Sequence, residues 1–252
     1  MILGAQMYTV RAYTQTVKDF DFTLGEIAKI GYKTVQLSAI GKDITPKIAK
    51  ELCDKHGLSI VLTHSDVNRI LNDTDNLIEE HKVMNCKYIG IGSMPEKYRN
   101  PEWISHFADD FMEPAKKIKE AGMLLMYHNH SFEFEKVNGR YLIEYLMDSF
   151  AADELGFTLD TYWLQVAGTD VCQWIKRLGN RIPCVHLKDL AIVKKESVIA
   201  PVMEGNMNFP EIINTLKETN CIYALVEQDV CQESPFICLK KSFDNLAKLG
   251  LQ

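Results

Sequence analysis

The sequence has no stretch of about 20 consecutive apolar residues, which is the length that a helix needs to cross a bilayer. It also has no run rich in lysine or arginine, and its formal net charge is −6. Because affinity for nucleic acid comes largely from basic residues that neutralise phosphates, this charge argues against a nucleic-acid partner. The N-terminus shows no basic region followed by an apolar segment and a cleavage site, so we expect a cytoplasmic protein that binds neither membrane nor nucleic acid.

Closely spaced cysteine pairs are missing as well. The seven cysteines are scattered, and none forms a Cys-x-x-Cys pair, which disfavours a disulfide framework and a structural zinc site. Proline, glycine and serine are not concentrated anywhere in the middle of the chain, so we see no linker. The length of 252 residues is typical of one α/β barrel, and we predict a single domain over residues 1–252.

A repeating unit is present: an amphipathic helical pattern, a turn at glycine or asparagine, then a short apolar run that ends in polar residues. The apolar runs cover residues 3–7, 34–37, 58–63, 88–91, 123–127, 156–159, 182–185 and 222–226. Helical patterns include residues 46–56, 101–121, 209–219 and 235–249. This alternation predicts parallel strands joined by right-handed crossovers.

Eight such units favour closure into a (β/α)8 TIM barrel over an open sheet. The first turn has no glycine-rich phosphate-binding fingerprint, which further disfavours a Rossmann fold. We predict that residues 190–208, after the seventh strand, form a long irregular loop, and loops of that length in a compact domain are more often functional than idle.

Polar side chains collect where the predicted strands end, which in a TIM barrel is where the active site is built. They are His64, Ser65 and Asp66 after the third strand, His128, His130 and Glu133 after the fifth, Asp160 after the sixth, His186, Lys188 and Asp189 after the seventh, and Glu227 and Asp229 after the eighth.

If Asp160, His186 and Glu227 all point into the barrel, they converge on one volume. Joined by a further residue from the fifth strand, they make a mixed nitrogen and oxygen ligand set that suits Mn²⁺, Mg²⁺, Co²⁺ or Zn²⁺. We therefore expect one divalent metal ion as cofactor.

Other residues allow two interpretations. An aspartate at a strand end often caps the next helix, and this applies to Asp66, Asp189 and Asp229. His64 is either a pocket residue or a structural histidine. Trp163 either walls a sugar-binding pocket with its ring face or only packs. The remaining histidines lie on helical patterns, where we expect surface or packing roles; they are His56, His81 and His106.

Four short motifs carry a resemblance to a known family: Tyr-His-Asn-His-Ser-Phe-Glu-Phe at 127–134, Leu-Asp-Thr-Tyr-Trp at 159–163, His-Leu-Lys-Asp at 186–189 and Val-Glu-Gln-Asp at 226–229. At these residues the sequence resembles the xylose isomerase-like barrel superfamily, in particular its sugar phosphate isomerase/epimerase branch. The resemblance covers nearly the whole chain.

The resemblance implies one divalent metal held by Asp160, His186, Glu227 and an acidic residue from the fifth strand. The sequence departs from the family at that last position, because the strand end holds His128 where the epimerases have a glutamate. Glu133 lies in the loop just beyond. We expect Glu133 to be the fourth ligand, with His128 as the alternative.

The implied activity is the isomerisation or epimerisation of a small sugar or sugar phosphate, by removal of a proton next to a carbonyl and through an enediolate. Glu227, His128 or His130 would be the base, and Lys188 would stabilise developing negative charge. We expect His64 and Trp163 to contact the substrate. Whether the chain forms a homo-oligomer stays open.

Three other functions are weighed against this one. Members with a similar Tyr-His-Asn-His pattern include lyases or hydratases that act on keto-sugars or 3-keto-glycosides. An abasic-site endonuclease of the same superfamily needs several metals and a histidine shortly after the sixth-strand aspartate, where this chain has Trp163. A barrel that only binds sugar would leave the clustered acids and bases unexplained.

Overall fold

The computed structural model describes residues 1–100 and 102–252. Eight parallel strands form a closed barrel in which each strand pairs with its neighbours in sequence and the last pairs with the first. The strands are β1 (Ile2–Gln6), β2 (Thr34–Leu37), β3 (Ser59–Ser65), β4 (Tyr88–Ile91), β5 (Leu124–His128), β6 (Leu155–Asp160), β7 (Cys184–Leu187) and β8 (Tyr223–Val226).

Helices follow the strands and cover the outside of the barrel. They are α1 (Val17–Ile30), α2 (Pro46–Lys55), α3 (Val67–Asn72), α4 (Thr74–Met84), α5 (Ile104–Glu120), α6 (Leu142–Ser149), α7 (Thr161–Val166), α8 (Val171–Leu178), α9 (Phe209–Leu216) and α10 (Pro235–Ala247). Over the described ranges, none of these helices combines the length and the apolar character that crossing a membrane requires.

The prediction of a (β/α)8 barrel is confirmed. Closure is carried by β1, in which Leu3 pairs with Ala224 of β8 and Gly4 pairs with Thr34 of β2. A Cβ atom on Gly4 would lie 2.3 Å from Thr34 Oγ1, so only glycine allows these strands to approach so closely inside the barrel.

Apolar side chains pack on both faces of the barrel strands. One layer lies between the barrel and its helices and forms the larger core. The other fills the lower barrel interior, and it includes Leu62, Tyr88, Met126, Cys184 and Leu225. These apolar side chains fill the interior below the strand ends. The polar residues at the strand ends therefore face each other above this layer, at one mouth of the barrel.

The strands extend further toward that mouth than their apolar runs indicate. The apolar runs end before His128, Asp160 and His186, but the structure has these residues within β5, β6 and β7. The ladder continues through these positions; for example, Asp160 pairs with His186. Hydropathy marks where a strand is apolar, not where its hydrogen bonding ends.

The predicted helices begin and end within a few residues of the observed ones. The pattern at 101–121 corresponds to α5, and its first residue, Pro101, lies outside the described residues. Thr45 caps α2 through Ile48 N, and Pro46 follows at the first helical position, where its missing N–H costs nothing.

The prediction of an irregular loop at 190–208 is wrong over its first half. Asp189–Val193 and Glu196–Ala200 form an antiparallel hairpin. Its two-residue turn holds Lys194 and Lys195 at φ 51° and 73°. Turns with two positive φ angles match strand twist, but lysine is not the residue type that signals them, so the sequence conceals this hairpin.

Candidate active site at the mouth of the barrel

Four buried side chains meet at the mouth of the barrel. They are His128, Asp160, His186 and Glu227, and each offers one nitrogen or oxygen atom such that all four atoms lie within 4.8 Å of one another. The first three come from the ends of β5, β6 and β7, and Glu227 directly follows β8. The arrangement brings together two imidazoles and two carboxylates, which is a donor set suited to a divalent cation.

Both imidazoles are anchored at the ring nitrogen that points away from the group. Nδ1 of His128 lies 2.9 Å from the Gly92 carbonyl oxygen. Nε2 of His186 lies 2.6 Å from Gln36 Oε1. Because these oxygens can only accept, the anchored nitrogens donate, and in the neutral rings the other nitrogen carries a lone pair.

Those second nitrogens face carboxylate oxygens. His128 Nε2 lies 3.3 Å from Asp160 Oδ2, and His186 Nδ1 lies 3.1 Å from Glu227 Oε2. In the neutral rings this sets lone pairs against negative charge, and either a proton or a metal ion between them relieves the clash. Although burial opposes the charged ring, Glu227 and Asp160 raise the pKa of His186 to about 9. The site therefore favours positive charge, and its residues fit a bound metal ion.

Asp160 uses its two oxygens for different tasks. Oδ1 accepts from Trp163 N and caps α7, whereas Oδ2 faces the two imidazoles. Its own N–H donates to Asn129 Oδ1 at 2.9 Å, which fixes the strand end. Burial opposes ionisation, but Lys188 and His128 hold the pKa of Asp160 below its usual range. Capping and a role in the site are therefore compatible in one residue.

Lys188 is buried beside the four-residue group. Its Nζ atom lies 3.5 Å from Asp160 Oδ2 and 3.3 Å from Glu227 Oε2, and it forms a still closer ion pair with Asp229. The rings of Tyr162 and Trp163 lie 5.6 Å and 5.3 Å from it. These carboxylates keep the ammonium charged despite burial, because they raise the pKa of Lys188 above its usual range.

An aromatic wall flanks one side of the group. The ring of His130 lies 4.8 Å from that of His128 and 5.2 Å from that of Trp163. Its Nδ1 is buried and has no hydrogen-bond partner among the residues described. Burial and His128 lower the pKa of His130 to about 3, so the ring is neutral at pH 7. His130 and Trp163 thus offer a neutral, partly apolar surface next to the candidate ligands.

His64 lies on another side. Its ring centroid is 5.3 Å from that of His128 and 5.7 Å from that of His186. It also lines a cavity of about 670 Å³ together with Ser38, whose Oγ lies 3.3 Å from His64 Nδ1. A Cβ atom on Gly92 would come within 2.9 Å of that nitrogen, so glycine leaves room for the ring.

Glu133 does not join the four-residue group; His128, the alternative named above, does. Both oxygens of the buried Glu133 carboxylate are used elsewhere. Oε1 accepts from Tyr127 Oη at 2.6 Å, and Oε2 accepts from His130 N at 2.8 Å. Burial raises the pKa of Glu133 to about 7, although these hydrogen bonds lower it. Its contacts tie the loop after β5 to its own strand.

The three aspartates that allowed two interpretations make different contacts. Asp66 caps α3 through Asn68 N. Asp189 accepts backbone N–H groups from both the hairpin and the loop that follows it, including Gly205 N at 2.9 Å. Asp229 pairs with Lys188. Of the three histidines assigned to helices, His56 and His106 lie at the surface or partly exposed, and His81 is buried.

Sequence reasoning missed two neutral residues that orient the group, Gln6 and Gln36, and gave no role to Asn129. Gln6 Nε2 donates to Glu227 Oε1 at 2.8 Å, across 221 positions of the chain. Gln36 anchors His186, and Asn129 anchors the end of β6. Gln6 and Gln36 are polar residues within apolar strand runs near the barrel mouth, which is the same signal that selected Asp160. Neither amide side chain ionises, so a search for acids, bases and metal ligands passes over both glutamines.

The comparisons with known proteins agree with this architecture. The family profile described as xylose isomerase-like TIM barrel matches residues 24–230. An inosose dehydratase from Geobacillus kaustophilus is 27% identical over 217 residues, which cover 74% of this chain and 67% of that protein. An inosose dehydratase from Clostridium perfringens is 27% identical over 144 residues, and the match covers 51% of this chain and 48% of that protein.

Among solved structures, a sugar phosphate isomerase/epimerase from Parabacteroides distasonis superimposes with a TM-score of 0.80. The superposition covers 97% of this chain and 92% of the other, at 24% sequence identity. At that identity the likeness speaks for the fold alone.

Proposed function

The chain belongs to the xylose isomerase-like TIM barrel family, and from that premise we propose that it is a divalent-metal-dependent enzyme acting on a small sugar or sugar-like ketone. His128, Asp160, His186 and Glu227 would hold the ion, with His128 in the place that we first expected Glu133 to fill. The single observation that carries the proposal is the convergence of these four buried donors within 4.8 Å.

The orientation of the imidazoles supports the same assignment. A histidine that binds a metal usually donates its other N–H to a carbonyl, an amide or a carboxylate, which fixes the ring and its tautomer. Gly92 O and Gln36 Oε1 occupy these positions for His128 and His186. The chain would thus supply the hydrogen-bond partners of the metal-binding histidines as well as the ligands themselves.

When bound, a divalent ion supplies a Lewis acid that polarises the substrate carbonyl and so acidifies the adjacent C–H bond. His130 is our candidate for the base, because its ring lies beside that of His128 and its buried Nδ1 has no partner among the described residues. Lys188 would place a positive charge near the carbonyl oxygen as the proton leaves. Trp163 and His64 would contact the substrate and exclude water.

The first step, loss of a proton next to a carbonyl, serves two reactions. If the proton returns to another face or carbon, the result is an epimer or an isomer. If a hydroxyl group on the next carbon departs and takes up a proton, the sum is loss of one water. The relatives named inosose dehydratases favour this second outcome as an alternative to isomerisation.

The test is to load the purified protein with Mn²⁺, Co²⁺, Zn²⁺ or Mg²⁺ and to incubate it in D₂O with a panel of keto-sugars and inososes. Proton NMR would report an epimer carrying deuterium, and ultraviolet absorbance would report the conjugated ketone that dehydration produces. We expect one of these products, and about one metal ion per chain by elemental analysis.

Two histidine variants provide the matched comparison. His186→Gln should lose metal binding and turnover together, because it removes a proposed ligand. His106→Gln removes an exposed histidine of α5 and should change neither. Full metal content and full turnover in His186→Gln would contradict the assignment.

A further inference from the structure

We propose that Asp229 is a positioning residue that holds Lys188 at the outer edge of the proposed metal site, so that Asp160 and Glu227 are left free to bind the cation. The inference rests on the function proposed above. It assigns a role in metal affinity to a residue outside the four-residue group.

The geometry places two cations in competition for the same oxygens. Lys188 Nζ lies 3.5 Å from Asp160 Oδ2 and 3.3 Å from Glu227 Oε2. These are the carboxylate oxygens that face the nitrogens of His128 and His186. If the ammonium group moved closer to these two oxygens, it would neutralise the negative charge that binds a divalent ion.

Asp229 offers Lys188 a third carboxylate on the solvent side. Its side chain is 28% exposed, whereas those of Asp160 and Glu227 are 0% and 4% exposed, and its contact with Nζ is the closest of the three. Charge balance agrees with this division. Three carboxylates carry three negative charges, which one ammonium and one divalent ion neutralise together.

The backbone of the Asp229 loop is anchored without its side chain. Arg11 Nη1 donates to Asp229 O at 3.0 Å, and Gln228 N donates to Thr9 Oγ1 at 2.9 Å. Replacement of the carboxylate by an amide should therefore leave the loop in place and change only the partner of Lys188. Such a variant separates positioning from folding.

The experiment measures Mn²⁺ affinity by isothermal titration calorimetry in wild type, Asp229→Asn, Lys188→Met and the double variant, with the melting temperature of each metal-free protein as a second readout. We expect Asp229→Asn to weaken Mn²⁺ binding by about 10-fold, the low end of effects seen for residues that orient metal ligands. Lys188→Met should bind Mn²⁺ more tightly than wild type, because the competing cation is gone, and its metal-free form should melt at a lower temperature.

The double variant decides the case. If Asp229 acts through Lys188, adding Asp229→Asn to Lys188→Met should not weaken Mn²⁺ binding. Equal weakening in both backgrounds, or no weakening in either while wild type binds Mn²⁺, would overturn the inference and leave the proposed function intact. Failure of wild type to bind any divalent ion would overturn both. Asp153→Asn, which breaks an exposed pair with Lys119, is the control of equal charge change.

Discussion

The two halves of the barrel contribute different chemistry to the mouth. The strands β5 to β8 and the residues directly after them supply all four members of the candidate metal group, and Lys188 as well. The half from β1 to β4 supplies uncharged partners instead: Gln6 for Glu227, Gln36 for His186 and the Gly92 carbonyl for His128. The half from β5 to β8 provides the charged groups, and the half from β1 to β4 provides neutral partners that orient three of them.

This division has a physical reason. Buried carboxylates and imidazoles are costly unless each is paired or hydrogen-bonded. Neutral amides and carbonyls can satisfy them without adding a charge that would compete with a bound cation. A closed barrel allows such pairing because strands that are distant in sequence face one another across its interior.

The largest expected loss of metal binding is at Asp160, in the half that provides the charged groups. We expect Asp160→Asn to weaken divalent-metal binding by more than about 100-fold, because it removes the charge that faces both imidazoles and Lys188. An asparagine oxygen can still cap α7. Asp170→Asn, at the cap of α8, is the matched control and should bind metal normally. Calorimetric titration measures both, and a metal affinity within a few-fold of wild type in Asp160→Asn would count against the site.

A smaller effect is expected in the orienting half. Gln36→Leu removes the acceptor for His186 Nε2, so the hydrogen bond that fixes the tautomer of this ring is lost. Metal affinity should fall by about 10-fold, again as the low end for outer partners of metal-binding histidines. Gln173→Leu, on the exposed side of α8, serves as the control. If Gln36→Leu bound metal as tightly as wild type, the division between the halves would not hold for this pair.

Glu133 belongs to the charged half but lies outside the metal group, so its effect should appear in stability. Burial raises its pKa from an ordinary 4.5 to about 7, so the folded protein binds this proton more tightly than the unfolded chain does. Stability is greatest below about pH 4.5 and falls as the pH rises from there through 7, by on the order of 3 kcal/mol.

Glu133→Gln removes this titration. The free energy of unfolding of wild type and variant is measured by urea denaturation from pH 4 to 8.5. The difference between the two proteins should change between about pH 4.5 and 7, because only wild type carries the titrating carboxyl. A difference that stays constant over the whole range would show that the carboxyl of Glu133 does not titrate with a raised pKa.

Much of the candidate site could be predicted from strand ends alone. Asp160, His186 and Glu227 were selected because polar residues follow apolar runs, and the structure brings the three together. The choice between Glu133 and His128 could not be made in this way, since both lie within six residues of the same strand end. It depends on direction: β5 carries the His128 side chain into the barrel, whereas the loop turns Glu133 back onto Tyr127.

By itself, the sequence determined that strands and helices alternate and that the chain closes into a barrel, because hydrophobic periodicity and turn residues act over a few neighbouring positions. Only the tertiary structure decided which histidine joins the group, which carboxylate lies closest to Lys188, and that Gln6 meets Glu227. These contacts join residues up to 221 positions apart, and their distances follow from strand register and from the direction of each side chain, which no local pattern encodes.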